Sequence, residues 1–140
     1  MQKLMVPVDG SAGGEKAARF AADLARLGGA EVTVVHVYEG PSPAAAGFLS
    51  NSPGLVDDTQ ARAAQSTFER VRKVMAEVEV KAFLVEVGQP AECILAVAER
   101  LHIDQIIMGS RGLSPLKELL LGSVSERVIR GAPCPVTIVR

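Results

Sequence analysis

The sequence has no long hydrophobic run and no excess of charge of either sign. No apolar stretch approaches the roughly 20 residues that a helix needs to cross a bilayer, so we expect no membrane-spanning segment. Lysine and arginine number 15 against 16 acidic residues, and the two signs are interspersed along the chain. Neither a polybasic membrane patch nor a basic stripe for nucleic acid is indicated, so we expect no membrane or nucleic-acid partner.

Cysteine is also scarce. The two cysteines, Cys93 and Cys134, show neither C-x-x-C nor any other metal-binding spacing. This pattern favours two reduced thiols, with Cys134 buried, in a cytosolic protein. The first residues, Met1–Asp9, lack a signal-peptide cleavage pattern and are typical of a buried strand. The sequence therefore predicts a cytoplasmic protein.

Several enzyme fingerprints are missing as well. There is no G-x-x-x-x-G-K-[ST], which excludes a P-loop NTPase, and no G-x-S-x-G nucleophile elbow. Gly10, Gly13 and Gly14 follow the first predicted strand at the wrong spacing for G-x-G-x-x-G, so NAD binding is not expected. His36 and His102 have no partner at ligand spacing. We interpret the first as a core histidine and the second as a helix-end residue.

Strand and helix patterns alternate along the 140 residues, which suit one domain, 1–140. Five apolar runs predict strands at Leu4–Val8, Glu31–Val37, Ala82–Val87, Gln105–Met108 and Pro135–Val139. Amphipathic patterns predict helices ending at Gly28-Gly29, over Asp57–Val78, with Pro90 in the first turn, and over Val124–Arg130. This order predicts an α/β fold, an open parallel sheet with helices on both faces. The third strand carries Glu86 and is expected at an edge.

One segment interrupts this alternation. Residues 39–56 contain three prolines, three glycines and an alanine triplet, and show no helix or strand period. A loop of this length is uncommon in a compact domain and is either a functional lid or disordered. The sequence leaves both interpretations open for this long flexible loop.

A glycine motif follows the fourth predicted strand. It runs Gly109-Ser110-Arg111-Gly112, then nine residues, then Gly122-Ser123 at the start of the last predicted helix. Helix amino termini offer unpaired N–H groups, and glycines let an anion approach the backbone, so the motif indicates a phosphate cradle. Arg111 and Lys117 could add positive charge to a bound phosphate.

The same residues have a purely structural interpretation. Ser123-Val-Ser-Glu126 matches a capping box, in which the serine caps the helix and the glutamate bonds back to it. Gly109 and Gly112 would then only shape a turn. The residues by themselves do not decide between a turn and a phosphate site.

Asp9 ends the first predicted strand and precedes Gly10-Ser11. Ligands of open α/β sheets bind beyond the carboxyl ends of the strands at the topological switch point. If the first and fourth strands are neighbours, Asp9 lies beside Gly109, where its carboxylate could bind a ribose hydroxyl or a metal ion. The alternative is that Asp9 or Ser11 caps the first helix; Ser11 is the expected N-cap.

Together these motifs resemble those of the universal stress protein family over essentially the whole chain. The resemblance rests on Val6–Ser11, Val34–Val37, Gly88-x-Pro90, Ile107–Gly112, Gly122–Glu126 and Ala132–Val136. It implies a Rossmann-like, adenine nucleotide-binding fold, a five-stranded parallel sheet of order 3-2-1-4-5. Family members that carry G-2x-G-9x-G-[ST], as this chain does, typically bind ATP.

The resemblance also implies a role for each matching residue. Adenine would lie against Pro7, Val8 and Val37. Asp9 would meet the ribose or a nucleotide-bound Mg²⁺, and Gly109 would face the ribose. The phosphate-binding residues would be Gly112, Gly122, Ser123, Val124 and Ser125, with Arg111 beside them. The family commonly forms homodimers through the last strand, here Val136–Val139, whose exposed apolar edge pairing would cover.

The expected function is an ATP-binding, nucleotide-dependent regulator of the stress response with at most slow hydrolysis. Phosphoryl transfer requires positioning and charge neutralisation, yet Arg111 and Lys117 are the nearby cations and no water-activating base is evident. The alternatives are a genuine ATPase and a dimeric interaction module that acts without nucleotide. Adenine and ribose contacts do not separate ATP from ADP or AMP.

Overall fold

The computed structural model describes residues 1–40, 58–112 and 121–140. Within these stretches lie five strands: β1 Lys3–Pro7, β2 Glu31–Glu39, β3 Val80–Gly88, β4 Gln105–Gly109 and β5 Val136–Val139. Four helices lie between them: α1 Ala12–Gly28, α2 Asp58–Val74, α3 Pro90–Arg100 and α4 Ser123–Gly131. The alternation predicted from the sequence is confirmed.

All five strands form one parallel sheet in the order β3-β2-β1-β4-β5, which confirms the predicted topology. The central strand β1 pairs Val6 with Val34 of β2 and Met5 with Ile106 of β4. The carboxyl ends of β1 and β4 are therefore adjacent where the chain order reverses, the position at which such sheets bind ligands. β3 lies at an edge, as the charge of Glu86 indicated.

Helices cover both faces of the sheet. α1 and α2 pack on one face, where α1 contributes mainly alanines and α2 contributes Phe68 and Val71. Small side chains let the axis of α1 lie close to the sheet, while the strands supply the volume, for example with Val6 and Val34. α3 and α4 cover the other face with Ile94, Val97 and Val128, among others. Both faces of the central strands are buried, which explains their nearly continuous apolar sequence.

Some element boundaries differ from the prediction. α2 ends at Val74 instead of Val78, and the next residues form a turn in which the N–H of Val78 donates to the carbonyl of Met75 at 2.9 Å. Met75 is nevertheless buried. The apolar spacing of α2 therefore extends past the end of the helix because these residues pack in the core, and not because they are helical. β5 begins at Val136, one residue after Pro135, which has no N–H for the ladder.

Several predictions fall partly or wholly outside the described residues. β2 extends to Glu39, so the predicted loop 39–56 starts within a strand, and its positions 41–56 are not described. Lys117 also lies outside the described residues.

Cys93 and Cys134 are free thiols, and both are half-buried, so the prediction that Cys134 is buried is wrong. Among the helices of the described ranges, none has the length and hydrophobicity that crossing a bilayer requires.

Candidate functional site

A cleft of about 440 Å³ opens where β1 and β4 end side by side. It is lined by all eleven residues that the sequence and its resemblance predicted to bind nucleotide, namely Pro7, Val8, Asp9, Val37, Gly109, Arg111, Gly112, Gly122, Ser123, Val124 and Ser125. These residues come from β1, β2, β4, α4 and the loops between them. The sheet therefore brings the two halves of the predicted site into one cavity, whose volume is typical of small-ligand pockets.

The first turns of four helices lie at this cleft, and α1, α3 and α4, whose N-cap residues are described, differ in what they can offer a ligand. Ser11 caps α1, since its Oγ accepts the N–H of Gly14 at 3.3 Å, which confirms Ser11 as the N-cap. α3 starts with Pro90, which has no N–H. α4 has Gly122 as its N-cap, and no side chain caps it. Among these three, α4 is the helix whose first turn has neither a side-chain cap nor a proline, so its N–H groups are best placed to bind an anion.

The first intrahelical bond of α4 runs from the N–H of Glu126 to the carbonyl of Gly122, 3.0 Å away. The N–H groups of Ser123, Val124 and Ser125 precede this bond and have no partner within the helix. The N–H of Gly122 is already used, because it donates to the carbonyl of Ser110 at 2.7 Å. Three consecutive N–H groups thus lie at the positive end of the helix dipole, beside the cleft.

The capping-box interpretation of this segment is wrong. Ser123 is the first residue of the helix and not its N-cap, and Glu126 forms an ion pair with Arg130 at 2.8 Å instead of bonding back. The chain enters the helix one residue earlier than the pattern implies, because the Gly122 N–H is held by Ser110. Ser123 therefore does not cap this helix.

Ser125 is buried, and its hydroxyl has a structural role. Its Oγ donates to the carbonyl of Gly109 at 3.0 Å and lies 3.2 Å from the carbonyl of Ser110. The single hydroxyl proton thus joins α4 to the end of β4. The remaining donor that Ser125 can offer a ligand is its backbone N–H.

Asp9 lies between the loops that follow β1 and β4. Its Oδ1 accepts the N–H of Ser11 at 3.0 Å, and its Oδ2 lies directly against Gly112. The carboxylate and the glycine motif therefore meet, as expected if β1 and β4 are neighbours. Arg111 is exposed and brings a positive charge to the same cleft. Within the described stretches no cluster of three or more His, Cys, Asp or Glu side chains could hold a metal ion.

His36 lies in the inner wall of the cleft and is a core histidine, as predicted. It is 7% exposed, its Nδ1 lies 3.0 Å from the carbonyl oxygen of Val8, and its ring meets those of Tyr38 and Phe68 edge to face. Burial lowers the pKa of His36, and the Val8 carbonyl and the charge of Asp9 oppose that shift only in part. The neutral ring donates Nδ1–H to Val8 and so holds the end of β1 in place.

The lowered pKa of His36 makes folding stability depend on pH. In the unfolded chain the pKa of this histidine is about 6.5, and in the folded chain it is lower. Between these two pKa values the unfolded chain binds a proton that the folded chain does not. The free energy of unfolding is therefore highest above pH 6.5 and decreases as the pH falls towards the folded-state pKa. We expect the melting temperature to decrease from pH 7.5 to pH 5.5, and His36→Asn to remove part of that decrease. Asparagine keeps an N–H donor near Val8 but cannot titrate.

His102→Asn is the matched control for this experiment. His102 is exposed after α3 and adopts a φ of 52°, a conformation that asparagine tolerates. This variant should keep the pH dependence of the wild type, as measured by thermal unfolding in a series of buffers. An unchanged slope in His36→Asn would contradict a neutral buried His36.

Some residues of the cleft were not predicted from the sequence. Gln60 and Ala63, one turn apart on α2, line it, as do Pro90 and Ile94 of α3. Pro90 had a usable signal, since it follows β3, whose carboxyl end faces the same edge of the sheet as the others. The α2 residues had a weaker signal, because α2 follows β2 at the same edge of the sheet but is separated from it by residues 40–57.

Comparison with known proteins gives a consistent result over the full length of the chain. Residues 1–140 match the Universal stress protein family. The chain is 35% identical to universal stress protein MJ0531 of Methanocaldococcus jannaschii, over 99% of this chain and 82% of that protein. It is 38% identical to the universal stress protein in the QAH/OAS sulfhydrylase 3′ region of Thermus aquaticus, over 98% of this chain and 97% of the relative.

Solved structures show the same fold. Protein MJ0577 of M. jannaschii superposes with a TM-score of 0.81 at 32% identity, over 99% of this chain and 94% of that one. The universal stress protein of Archaeoglobus fulgidus, solved in complex with dAMP, superposes with a TM-score of 0.74 at 26% identity, covering 100% and 98% of the two chains. With the family match over all 140 residues, these relatives show that the chain belongs to the universal stress protein family.

Proposed function

We propose that this protein binds ATP in the cleft between β1 and β4 and acts as a nucleotide-dependent regulator in the stress response. The observation that carries the proposal is the uncapped amino terminus of α4, whose three N–H groups adjoin the cleft. The A. fulgidus relative in complex with dAMP supports an adenine nucleotide as the ligand. The two free cysteines are compatible with the proposed cytoplasmic location.

The cleft has residues that are chemically suited to each part of a nucleotide. Pro7, Val8 and Val37 are apolar and suit the faces of an adenine ring. Asp9 supplies a carboxylate that can accept from a ribose hydroxyl, next to the bare backbone of Gly109. The nucleotide would thus extend from the end of β2, across β1 and β4, towards α4.

The phosphates would lie at the first turn of α4. The N–H groups of Ser123, Val124 and Ser125 can each donate to phosphate oxygens, while Gly122 and Gly112 keep side chains out of the way. Arg111 adds a charge that favours several phosphates over one, which is why ATP is proposed ahead of ADP or AMP. Mg²⁺ would arrive with the phosphates and neutralise part of their charge, and Asp9 is a carboxylate of the cleft that lies against Gly112.

The side chains of the cleft favour binding over catalysis. The titratable residues among its described lining are Asp9, His36, Tyr38, Glu39 and Arg111. The carboxylate of Asp9 already accepts from a backbone N–H, and His36 is bonded to the Val8 carbonyl on one nitrogen. A general base must be able to reach and orient a water molecule, and these two groups are committed to backbone contacts. The other carboxylate, Glu39, ends β2, which β1 separates from β4, whereas the phosphates are proposed at α4. We therefore propose slow hydrolysis at most.

Isothermal titration calorimetry with ATP, ADP, AMP and GTP tests this proposal. We expect ATP to bind and to raise the melting temperature, and Asp9→Ala to weaken binding roughly tenfold, since a hydrogen bond to a charged group contributes about 1.5–3 kcal/mol. Asp104→Ala is the matched control. Asp104 also accepts a backbone N–H, from Lys3 at 2.7 Å, but it lies before β4, at the opposite edge of the sheet.

Two results would contradict the proposal. Absence of both binding heat and thermal stabilisation with every nucleotide would favour an interaction module that acts without nucleotide. Phosphate release with Mg²⁺ faster than about 1 s⁻¹, the lower end of ordinary turnover, would favour a genuine ATPase.

We further propose that β5, Val136–Val139, pairs with a second copy of the chain. β5 lies at an edge with β4 as its neighbour, and all four of its residues remain half-buried, not buried. An apolar edge strand invites pairing, and a homodimer would cover it. Sedimentation equilibrium measures this association, and a monomer at every concentration would contradict it.

A further inference from the structure

Position 112 excludes a side chain for a reason that the backbone alone does not explain. Gly112 is not among the glycines with a left-handed φ, so an alanine could adopt its backbone conformation. A Cβ atom added there would overlap Oδ2 of Asp9 and lie 3.5 Å from its Cγ. Among the described residues other than the chain neighbours of Gly112, Asp9 supplies every atom within 4 Å of that point. What an alanine at this position would displace is therefore the carboxylate of Asp9.

The carboxylate is fixed from two sides. On one side Oδ1 accepts the N–H of Ser11 at 3.0 Å, and on the other side Oδ2 occupies the space that a Cβ atom of residue 112 would need. The two oxygens belong to one planar group, so Oδ2 cannot move away without shifting Oδ1. A Cβ at position 112 would rotate the side chain of Asp9 and lengthen its bond to Ser11.

We infer that Gly112 is a positioning residue for Asp9, and that it affects nucleotide binding through this carboxylate instead of through direct contact with the phosphates. The inference rests on the proposed function. It separates two glycines of one motif, because a Cβ at Gly122 would meet the Cα of Arg111 at 3.5 Å and the carbonyl of Ser110 at 3.6 Å, which are ordinary contacts. Gly112 accommodates Asp9, whereas Gly122 leaves the first turn of α4 uncapped.

A double-mutant cycle on ATP affinity distinguishes the two roles. We expect Gly112→Ala to weaken binding about five- to tenfold, Asp9→Ala about tenfold, and the double variant no more than Asp9→Ala, since the displaced group is then absent. Gly28→Ala is the control, since a Cβ atom added there would have no neighbour within 4 Å among the described residues, and it should leave the ATP affinity unchanged. If the losses of the two single variants multiply in the double variant, Gly112 contacts the nucleotide directly and the inference is overturned.

A second measurement needs no nucleotide. Hydrogen exchange of the Ser11 N–H, followed by NMR, should become roughly tenfold faster in Gly112→Ala and stay unchanged in Gly122→Ala. Faster exchange in a protein that binds no ATP would uphold the contact and refute the proposed function. Normal exchange at Ser11 in a variant that has lost ATP affinity would refute the positioning role and leave the proposed function standing.

Discussion

Replacing Gly122 with aspartate is expected to abolish ATP binding while making the protein slightly more stable. Gly122 is the N-cap of α4, with φ −74° and ψ 164°, a conformation open to any residue, and there is room for a Cβ atom. An aspartate there would accept the N–H groups of Val124 and Ser125 and would favour the helix dipole, a gain of about 0.3–1 kcal/mol. The same carboxylate would occupy the donors meant for the phosphates and would repel them.

We expect Gly122→Asp to weaken ATP binding at least about 100-fold, because two or more charge-assisted hydrogen bonds of about 1.5–3 kcal/mol each are lost. Gly122→Asn separates the loss of free N–H donors from the repulsion of the phosphates, since asparagine caps the helix without adding charge. Calorimetry measures the expected loss of ATP affinity, and thermal unfolding of the same samples measures the expected gain in stability. A Gly122→Asp protein that still binds ATP with near wild-type affinity would show that the phosphates are not at α4.

The second large effect concerns stability and is expected from Gly109→Ala. Gly109 is the buried last residue of β4, and a Cβ atom there would lie 2.8 Å from the carbonyl carbon and 3.0 Å from the Cα of Gly13. These are backbone atoms in the first turn of α1, which cannot turn aside as a side chain would. Overpacking of this kind costs about 1–3 kcal/mol, so we expect the melting temperature to fall by several degrees.

Gly28→Ala is the control for this substitution. Gly28 is the last residue of α1, has no left-handed φ, and an added Cβ would have no neighbour within 4 Å among the described residues. The same chemical change should there stabilise the protein by about 0.4–1 kcal/mol. Chemical denaturation of both variants measures the difference. If Gly109→Ala unfolds at the wild-type denaturant concentration, the close approach of β4 to α1 is not rigid.

The order of strands and helices could be predicted from the sequence because each element carries its own period. Both faces of the central strands are covered, so they are continuously apolar, and α1 shows its alanine stripe. The ends of helices were harder to predict where buried residues continue past the last helical residue, as Met75 does beyond the end of α2. The neighbouring position of β1 and β4 came from the family resemblance and not from any local pattern.

The candidate site was predictable in membership but not in the part that each residue plays. Ser123 matched a capping pattern, yet the bond between Gly122 N–H and Ser110 moved the cap by one residue. Gly112 matched a phosphate motif, yet the nearest atom to its missing side chain belongs to Asp9. Contacts between residues far apart in the chain decide such roles, and no spacing within one segment reports them.

The backbone of Ser110 ties the start of α4 to the sheet. Its N–H donates to Val139 at the end of β5, and its carbonyl accepts from Gly122 N–H and lies within bonding distance of the Ser125 hydroxyl. The first turn of a nine-residue helix would otherwise fray, since isolated helices of that length are marginal. Here its conformational entropy is lost when the sheet folds. A ligand therefore meets donors that are already oriented, and its binding free energy is not spent on ordering them.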